Sequence, residues 1–220
     1  MTSTYVFDAY GTLFDVHSAV ARHRDRIGPK AERLSDMWRT KQLEYTWIRT
    51  MCGPYRDFAA LTAEALDYAA ARCGGIDATV RADLLASYER LEAFPDVKPT
   101  LAALKATGAR LAILSNGTPA MLASAVAHAG LEGLFEAVLS VDPLKLYKTA
   151  DAAYALVENA MSVPPREVSF QSSNRWDVAG AANFGFRAIW INRAGLPDEY
   201  FDMAPSRTLS SLAPMAQTRR

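Results

Sequence analysis

The chain has 220 residues, half of them apolar and 22% charged, a composition that can build a globular core with no need of a disulfide or structural metal. Lys plus Arg and Asp plus Glu balance at 24 each, so zero formal net charge excludes a global field that would gather nucleic acid or an anionic membrane. Cys52 and Cys73 form no C-x-x-C pair and have no histidine at metal-ligand spacing, and no signal-like start or membrane-length apolar run is visible, so a soluble cytoplasmic protein with reduced thiols is expected.

The first apolar run, Tyr5-Val6-Phe7, stops at Asp8, with Gly11 supplying a turn; it reads as a short buried strand feeding a loop. From about Ser18 to Ala93 the chain is rich in Ala, Leu, Arg and Glu, with helical apolar spacing at Leu34, Trp38, Leu43, Trp47 and at Phe58, Leu61, Ala65, Leu66. Gly53-Pro54 and Gly74-Gly75 break that stretch into helices over roughly 31–51, 56–73 and 77–93. After Phe94-Pro95 the pattern alternates. Pro99 opens a helix that Gly108 closes, and Arg110–Leu114 is a strand ending at Ser115-Asn116-Gly117. A helix over 119–129, a strand at 137–140, a helix over 150–160 and a strand at 168–171 follow. A short helix at 177–184 and a last strand at 188–191 complete the pattern, and the tail 217–220 is expected to fray. Alternating βα units of this length predict a parallel sheet with helices on both faces. The helical stretch 18–93 reads as an insertion over one edge of that sheet, a cap on a core made of 1–17 and 94–220.

In an open parallel sheet ligands bind beyond the carboxyl ends of the strands. The predicted strands place there Asp8, Ser115-Asn116, Lys148 a little downstream of its strand, and Ser172-Ser173-Asn174 with Asp177. A carboxylate beside a lysine and several hydrogen-bond donors can act as a nucleophile that the lysine neutralises and orients. Each group also has an ordinary structural use: Asp caps loops, Ser-Asn-Gly is a common turn, and Asp177 is a candidate N-cap. What those uses leave unexplained is the order.

Phe7-Asp8-Ala9-Tyr10-Gly11-Thr12-Leu13, Leu114-Ser115-Asn116-Gly117, Lys148 and Ser172-Ser173-Asn174-Arg175-Trp176-Asp177 resemble, in order, the four motifs of the haloacid dehalogenase superfamily. The resemblance spans nearly the whole chain, including the helical insert after the first strand. It implies an α/β fold with a Rossmann-like parallel core and an inserted helical cap, and a nucleophile at Asp8. Within the superfamily, phosphatases carry a second Asp two residues after the nucleophile and acids at the start of the fourth motif. Here those positions are Tyr10, poorly suited to proton donation near neutral pH, and Ser172, Ser173 and Asn174, poor ligands for Mg²⁺. A halide leaves as a stable anion and needs neither acid nor metal. Met37-Trp38-Arg39-Thr40-Lys41-Gln42-Leu43-Glu44-Tyr45 and His17-Ser18 likewise resemble the type II L-2-haloacid dehalogenases.

That resemblance implies attack by Asp8 on the α-carbon of an L-2-haloalkanoate with inversion, expulsion of halide toward Arg39 and Asn116, and an aspartyl ester. Water activated by Asp177 and placed by Ser172 and Asn174 would release the D-2-hydroxy acid, with no metal or other cofactor. Lys148 and Thr12 would hold Asp8, and Tyr154 would buttress the site through Lys148. Ser115 and backbone N–H groups of the first loop, Gly11 among them, would grip the substrate carboxylate. Tyr10, Leu43, Phe58 and Trp176 would line the alkyl pocket, although plain packing between cap and sheet explains these four equally well. Thr40 stands where a Gln is common, Thr149-Ala150 where Pro-Asp is usual, and Gln171 where a small apolar residue is expected; the first is read as a modifier of pocket size or halide preference. The implied partners are a small 2-haloacid, the halide product and a second copy of the chain, with neither nucleic acid nor membrane.

Overall fold

A computed structural model describes residues 3–217; tail residues 218–220 lie outside the described residues. Its short apolar segments form a six-stranded, wholly parallel sheet. The strands are β1 (Thr4–Phe7), β2 (Arg110–Ser115), β3 (Ala137–Ser140), β4 (Val168–Ser172), β5 (Arg187–Ile191) and β6 (Arg207–Leu209). Their order is β3-β2-β1-β4-β5-β6, so the winding reverses at β1, the topological switch point where such sheets bind ligands. Phe7 pairs with Ile113 on one side and Gln171 on the other. Asp8 therefore leaves the sheet level with Leu114 and Ser172, one residue short of Ser115.

The core helices are α6 (Val97–Ala106), α7 (Pro119–His128), α8 (Asp151–Met161) and α9 (Arg175–Phe184). Phe170 of β4 packs edge-on against Tyr154 of α8, which in turn meets Phe184 of α9. Ser169, one residue earlier, faces the other side of the sheet with Tyr5 and Met215, where α6 packs on the C-terminal turn. The alternation of the strand thus puts helices on both faces. Gln171 is fully buried on the Ser169 side; its Nε2 donates to Ser169 Oγ at 2.6 Å and its Oε1 has no partner.

Between β1 and α6 run α1 (Ser18–Ala21), α2 (Arg24–Ile27), α3 (Ala31–Met51), α4 (Phe58–Arg72) and α5 (Ala78–Tyr88). Asp57 caps α4 by accepting from the Ala60 N–H, and Asp77 caps α5 through the Thr79 N–H. Helix α3 packs along α4, and their apolar faces join the sheet in one continuous hydrophobic cluster. The two chain crossings that lead into and out of this layer pair with each other: Asp15 N–H donates to Glu92 O and Phe94 N–H to Leu13 O.

Three boundaries differ from the sequence expectation. The helix expected over 77–93 stops at Tyr88, because the chain must straighten to make that pairing, with Ala93 opposite Phe14. The helix expected to open at Pro99 starts at Val97, proline being tolerated within a first turn. The helix expected over 177–184 starts at Arg175, so Asp177 sits inside its first turn and is not the N-cap. Strand β6 was not anticipated; its three residues, Arg207-Thr208-Leu209, carry too little pattern to read. No helix among the described residues is long and apolar enough to cross a membrane.

Leu61 is fully buried on α4 and part of the cluster that unites the cap helices with the sheet. Leu61→Ala should lower stability by about 2–5 kcal/mol, read from the urea midpoint. A loss below about 1 kcal/mol would mean that the cap layer contributes little to the folded core.

Candidate active site

Asp8 caps no loop with its side chain; four side chains hold it instead. Its Oδ1 accepts from Lys148 Nζ at 3.1 Å. Its Oδ2 accepts from Thr12 Oγ1 at 2.9 Å, Ser172 Oγ at 3.1 Å and Asn174 Nδ2 at 2.7 Å. The donors are themselves fixed: Thr12 Oγ1 accepts from Ser173 N–H, Ser172 Oγ from Asn174 N–H, and Asn174 Nδ2 also reaches Tyr10 O. Gly11 has a φ of 88°, which lets the loop turn back under Asp8.

Lys148 is 1% exposed, and its ammonium bridges Asp8 and Asp177, the latter through Oδ2 at 2.9 Å. Burial by itself lowers the lysine pKa, but the charges of Asp177 and Asp8 outweigh it and the net shift is upward. Asp177 is wholly buried; burial, countered by Lys148 and reinforced by Asp8, pushes its carboxyl up to about 6. Tyr154 OH donates to Asp177 Oδ1 at 2.8 Å, so this tyrosine supports the site through Asp177 and not through Lys148. Gly180 allows that approach, since a Cβ there would strike the Tyr154 hydroxyl.

Helix α3 brings Arg39 across from the cap. Its guanidinium donates to Gln42 Oε1 at 2.8 Å, and to Tyr10 O and Asn174 Oδ1, each at 3.1 Å. Asn116 Oδ1 accepts from the Lys148 N–H at 3.0 Å, which leaves its amide N–H groups for the cavity side. Ser115 Oγ accepts from the Gly117 N–H at 3.1 Å, leaving its own proton to donate. Gly117 is required by close approach, because a Cβ would meet the Tyr10 ring at 2.7 Å.

Asp8, Tyr10, Arg39, Leu43, Phe58, Ser115, Asn116, Asn174 and Trp176 line one small cavity. Its volume is about 10 Å³, room for one water at most, so a bound acid requires the lining side chains to move apart. A groove of about 610 Å³ lies behind Trp176 and Lys148, but it contains neither Asp8 nor Arg39, so the chemistry belongs to the smaller space. Tyr10 lies between Phe58 and Tyr88, at ring distances of 5.4 and 5.6 Å, and burial raises its hydroxyl pKa well above the usual value. It is no proton donor to a leaving group.

A sequence model of the family described as haloacid dehalogenase-like hydrolase matches residues 2–185. The chain belongs to that family. It is 47% identical over 214 residues to (S)-2-haloacid dehalogenase 1 of Pseudomonas sp. strain CBS-3, covering 96% of this chain and 94% of that one. Among solved structures, a crystal structure of an L-2-haloacid dehalogenase superposes with a TM-score of 0.94 at 46% identity, covering 98% of this chain and 97% of the other. The L-2-haloacid dehalogenase of Xanthobacter autotrophicus with chloropropionic acid covalently bound superposes with a TM-score of 0.88 at 37% identity, covering 99% and 98%.

Of the residues singled out in sequence, the haloacid dehalogenase-like fold gathers Asp8, Thr12, Arg39, Lys148, Ser172 and Asn174 into one bonded network. Two lie elsewhere than expected. Gly11 does not line the cavity and its N–H is taken by Phe14 O, so it shapes the loop and offers no donor to a substrate. Thr40 is exposed and bonds back to Asp36 O, because one position beyond Arg39 turns away from the pocket on a helix. The neighbour that does touch Arg39 is Gln42, with Tyr88 and Thr62 behind it. Its i+3 spacing from Arg39 was the available signal; Tyr88 and Thr62 carried none.

A protonated Asp177 would leave the Lys148 charge to Asp8 alone and weaken it as a nucleophile. With Asp177 near 6, kcat/KM should fall as pH drops through about 6. Tyr154→Phe removes a donor that favours the carboxylate, so this acidic limb should move to higher pH. A limb that stays in place would break the link between Tyr154 and the titrating group.

Proposed function

We propose that the chain hydrolyses L-2-haloalkanoic acids to D-2-hydroxy acids through an ester on Asp8. The observation that carries this reading is a carboxylate held by Lys148 and three neutral donors, facing a cavity closed by an arginine whose contacts are all neutral. The dehalogenase relatives that span nearly the whole chain support it.

Asp8 Oδ1, with one donor against three on Oδ2, keeps the lone pairs that attack the α-carbon. The new C–O bond forms as the carbon–halogen bond breaks on the opposite side, and the halide takes both bonding electrons toward Arg39 and the Asn116 amide. A guanidinium is weakly hydrated and always charged, which suits a halide in a dry pocket. Ser115 holds the substrate carboxylate, and Tyr10, Leu43, Phe58 and Trp176 surround its alkyl part. Water then attacks the ester carbonyl of Asp8, giving its proton to Asp177, and the Oδ2 donors Thr12, Ser172 and Asn174 stabilise the oxyanion. Collapse breaks the Cγ–Oδ1 bond, and the leaving alkoxide takes the proton held by Asp177 to become the hydroxyl of the inverted hydroxy acid. The proton left on the Asp8 carboxyl passes to solvent, which returns both carboxylates.

Residues 18–93 act as a cap over a core of 1–17 and 94–220, in a cytoplasmic homodimer. The exposed Ile48 and Met51 near the end of α3 are apolar surface that a second copy could cover.

Purified protein incubated with L- or D-2-chloropropionate, with and without EDTA, should release chloride from the L isomer alone at a rate EDTA leaves unchanged. Asp8→Asn should abolish it. Magnesium-dependent phosphate release from a phosphoester, with no chloride from either isomer, would overturn the reading.

A further inference from the structure

We infer that Gln42 is a positioning residue for Arg39: a neutral acceptor, locked in one orientation by Thr62, that aims the guanidinium at the leaving halide without cancelling its charge. This rests on the dehalogenase reading and adds a component that lies outside the cavity wall.

Gln42 is 1% exposed, and its Oε1 accepts from Arg39 Nη1 at 2.8 Å and from Tyr88 OH at 3.1 Å. Its Nε2 donates to Thr62 Oγ1 at 2.7 Å. The orientation of that amide follows from proton counting. Thr62 has one hydroxyl proton and gives it to Phe58 O at 2.6 Å, so toward Gln42 it can only accept. The NH₂ end of Gln42 must face Thr62 and the carbonyl end must face Arg39. Tyr88, with a pKa that burial raises, stays protonated and donates to the same oxygen. The indole of Trp38 pins Thr62 from the backbone side, donating to Thr62 O at 2.8 Å. Gln42, Thr62, Tyr88 and Trp38 are each at most 4% exposed, so no water competes for the bonds among them.

The partners of Arg39 are also uncharged. Arg22, Arg26, Arg81, Arg110 and Arg175 each meet a carboxylate within 2.9 Å. Arg39 is met by an amide oxygen, a backbone carbonyl and a second amide oxygen. A carboxylate in place of Gln42 would form a buried ion pair and take the field that the halide needs.

Gln42→Glu keeps the shape and adds the charge. Three quantities separate positioning from mere structural support: chloride affinity from the linewidth of the chloride NMR signal, inhibition by bromide, and the ratio of rates on L-2-chloro- and L-2-bromopropionate. Gln42→Glu should weaken halide binding by about tenfold or more, lower kcat more than it raises KM, and slow the chloro substrate more than the bromo one. Thr62→Val, which frees the amide to turn its NH₂ end toward Arg39, should shift all three in the same direction by a smaller factor, and it decides the matter should the glutamate variant fail to fold. Wild-type halide affinity and wild-type leaving-group ratio in the folded variants would overturn the inference. Absence of chloride release by the wild-type chain would instead overturn the dehalogenase reading, and the NMR linewidths would still report on Gln42.

Discussion

An ammonium buried to 1% exposure and shared by two carboxylates is the constraint around which the active site is organised. A lone charge at such a depth costs several kcal/mol, and removing one partner of a buried pair typically costs about 3–5 kcal/mol. Lys148, Asp8 and Asp177 are therefore mutually dependent, and each comes from a different part of the chain. Asp8 follows β1, Lys148 precedes α8, and Asp177 lies in the first turn of α9. The sheet order that places β1 beside β4 makes their meeting possible, and the Tyr154–Asp177 bond ties the far side of the cluster to α8.

Polar and aromatic contacts join helices α3 and α4 to this cluster, in addition to the hydrophobic interior they share with the sheet. Arg39 reaches Tyr10 O and Asn174, Tyr55 OH donates to Asp142, Tyr147 OH donates to Arg56 O, and Trp47 stands edge-on to Trp176 at 5.7 Å. With these contacts in place the cavity is no larger than a water. A site that dry strengthens the field of both Lys148 and Arg39 and keeps stray water from the ester. Arg39 and Asn174 belong both to the network around Asp8 and to the contacts between α3 and the sheet.

The core was readable in sequence because its strands end in polar residues at the switch point, and those polar residues came in a recognisable order. Asp8, Lys148, Ser172, Asn174 and Asp177 needed nothing more. The roles of Tyr154 and Gly11 were less legible, since a hydroxyl reaching Asp177 instead of Lys148, or an N–H consumed by Phe14, depends on loop paths that no local pattern specifies. Gln42 shows the limit most clearly. On α3 it reads as one more polar residue of a partly exposed helix, and only the packing of α3 against α4, with Tyr88 of α5 closing the other side, turns it into a buried acceptor. Thr40 drew notice only because the family resemblance puts a Gln there, and the helix turns it into solvent.

The charge arrangement also accounts for how one cluster can serve two successive steps. In the free site the Asp8 charge is one of the causes that raise Asp177 toward 6. Once Asp8 becomes an ester that charge is gone, and the departing halide removes it from the pocket altogether. Lys148 then faces Asp177 alone, and the loss of the Asp8 charge moves the Asp177 carboxyl downward from its free-site value, with burial still raising it. An ester at Asp8 would therefore favour the ionised form of Asp177 relative to the free site, against the burial that still raises it. On the proposed mechanism, the lysine that neutralises Asp8 in the first step is the partner of Asp177 in the second.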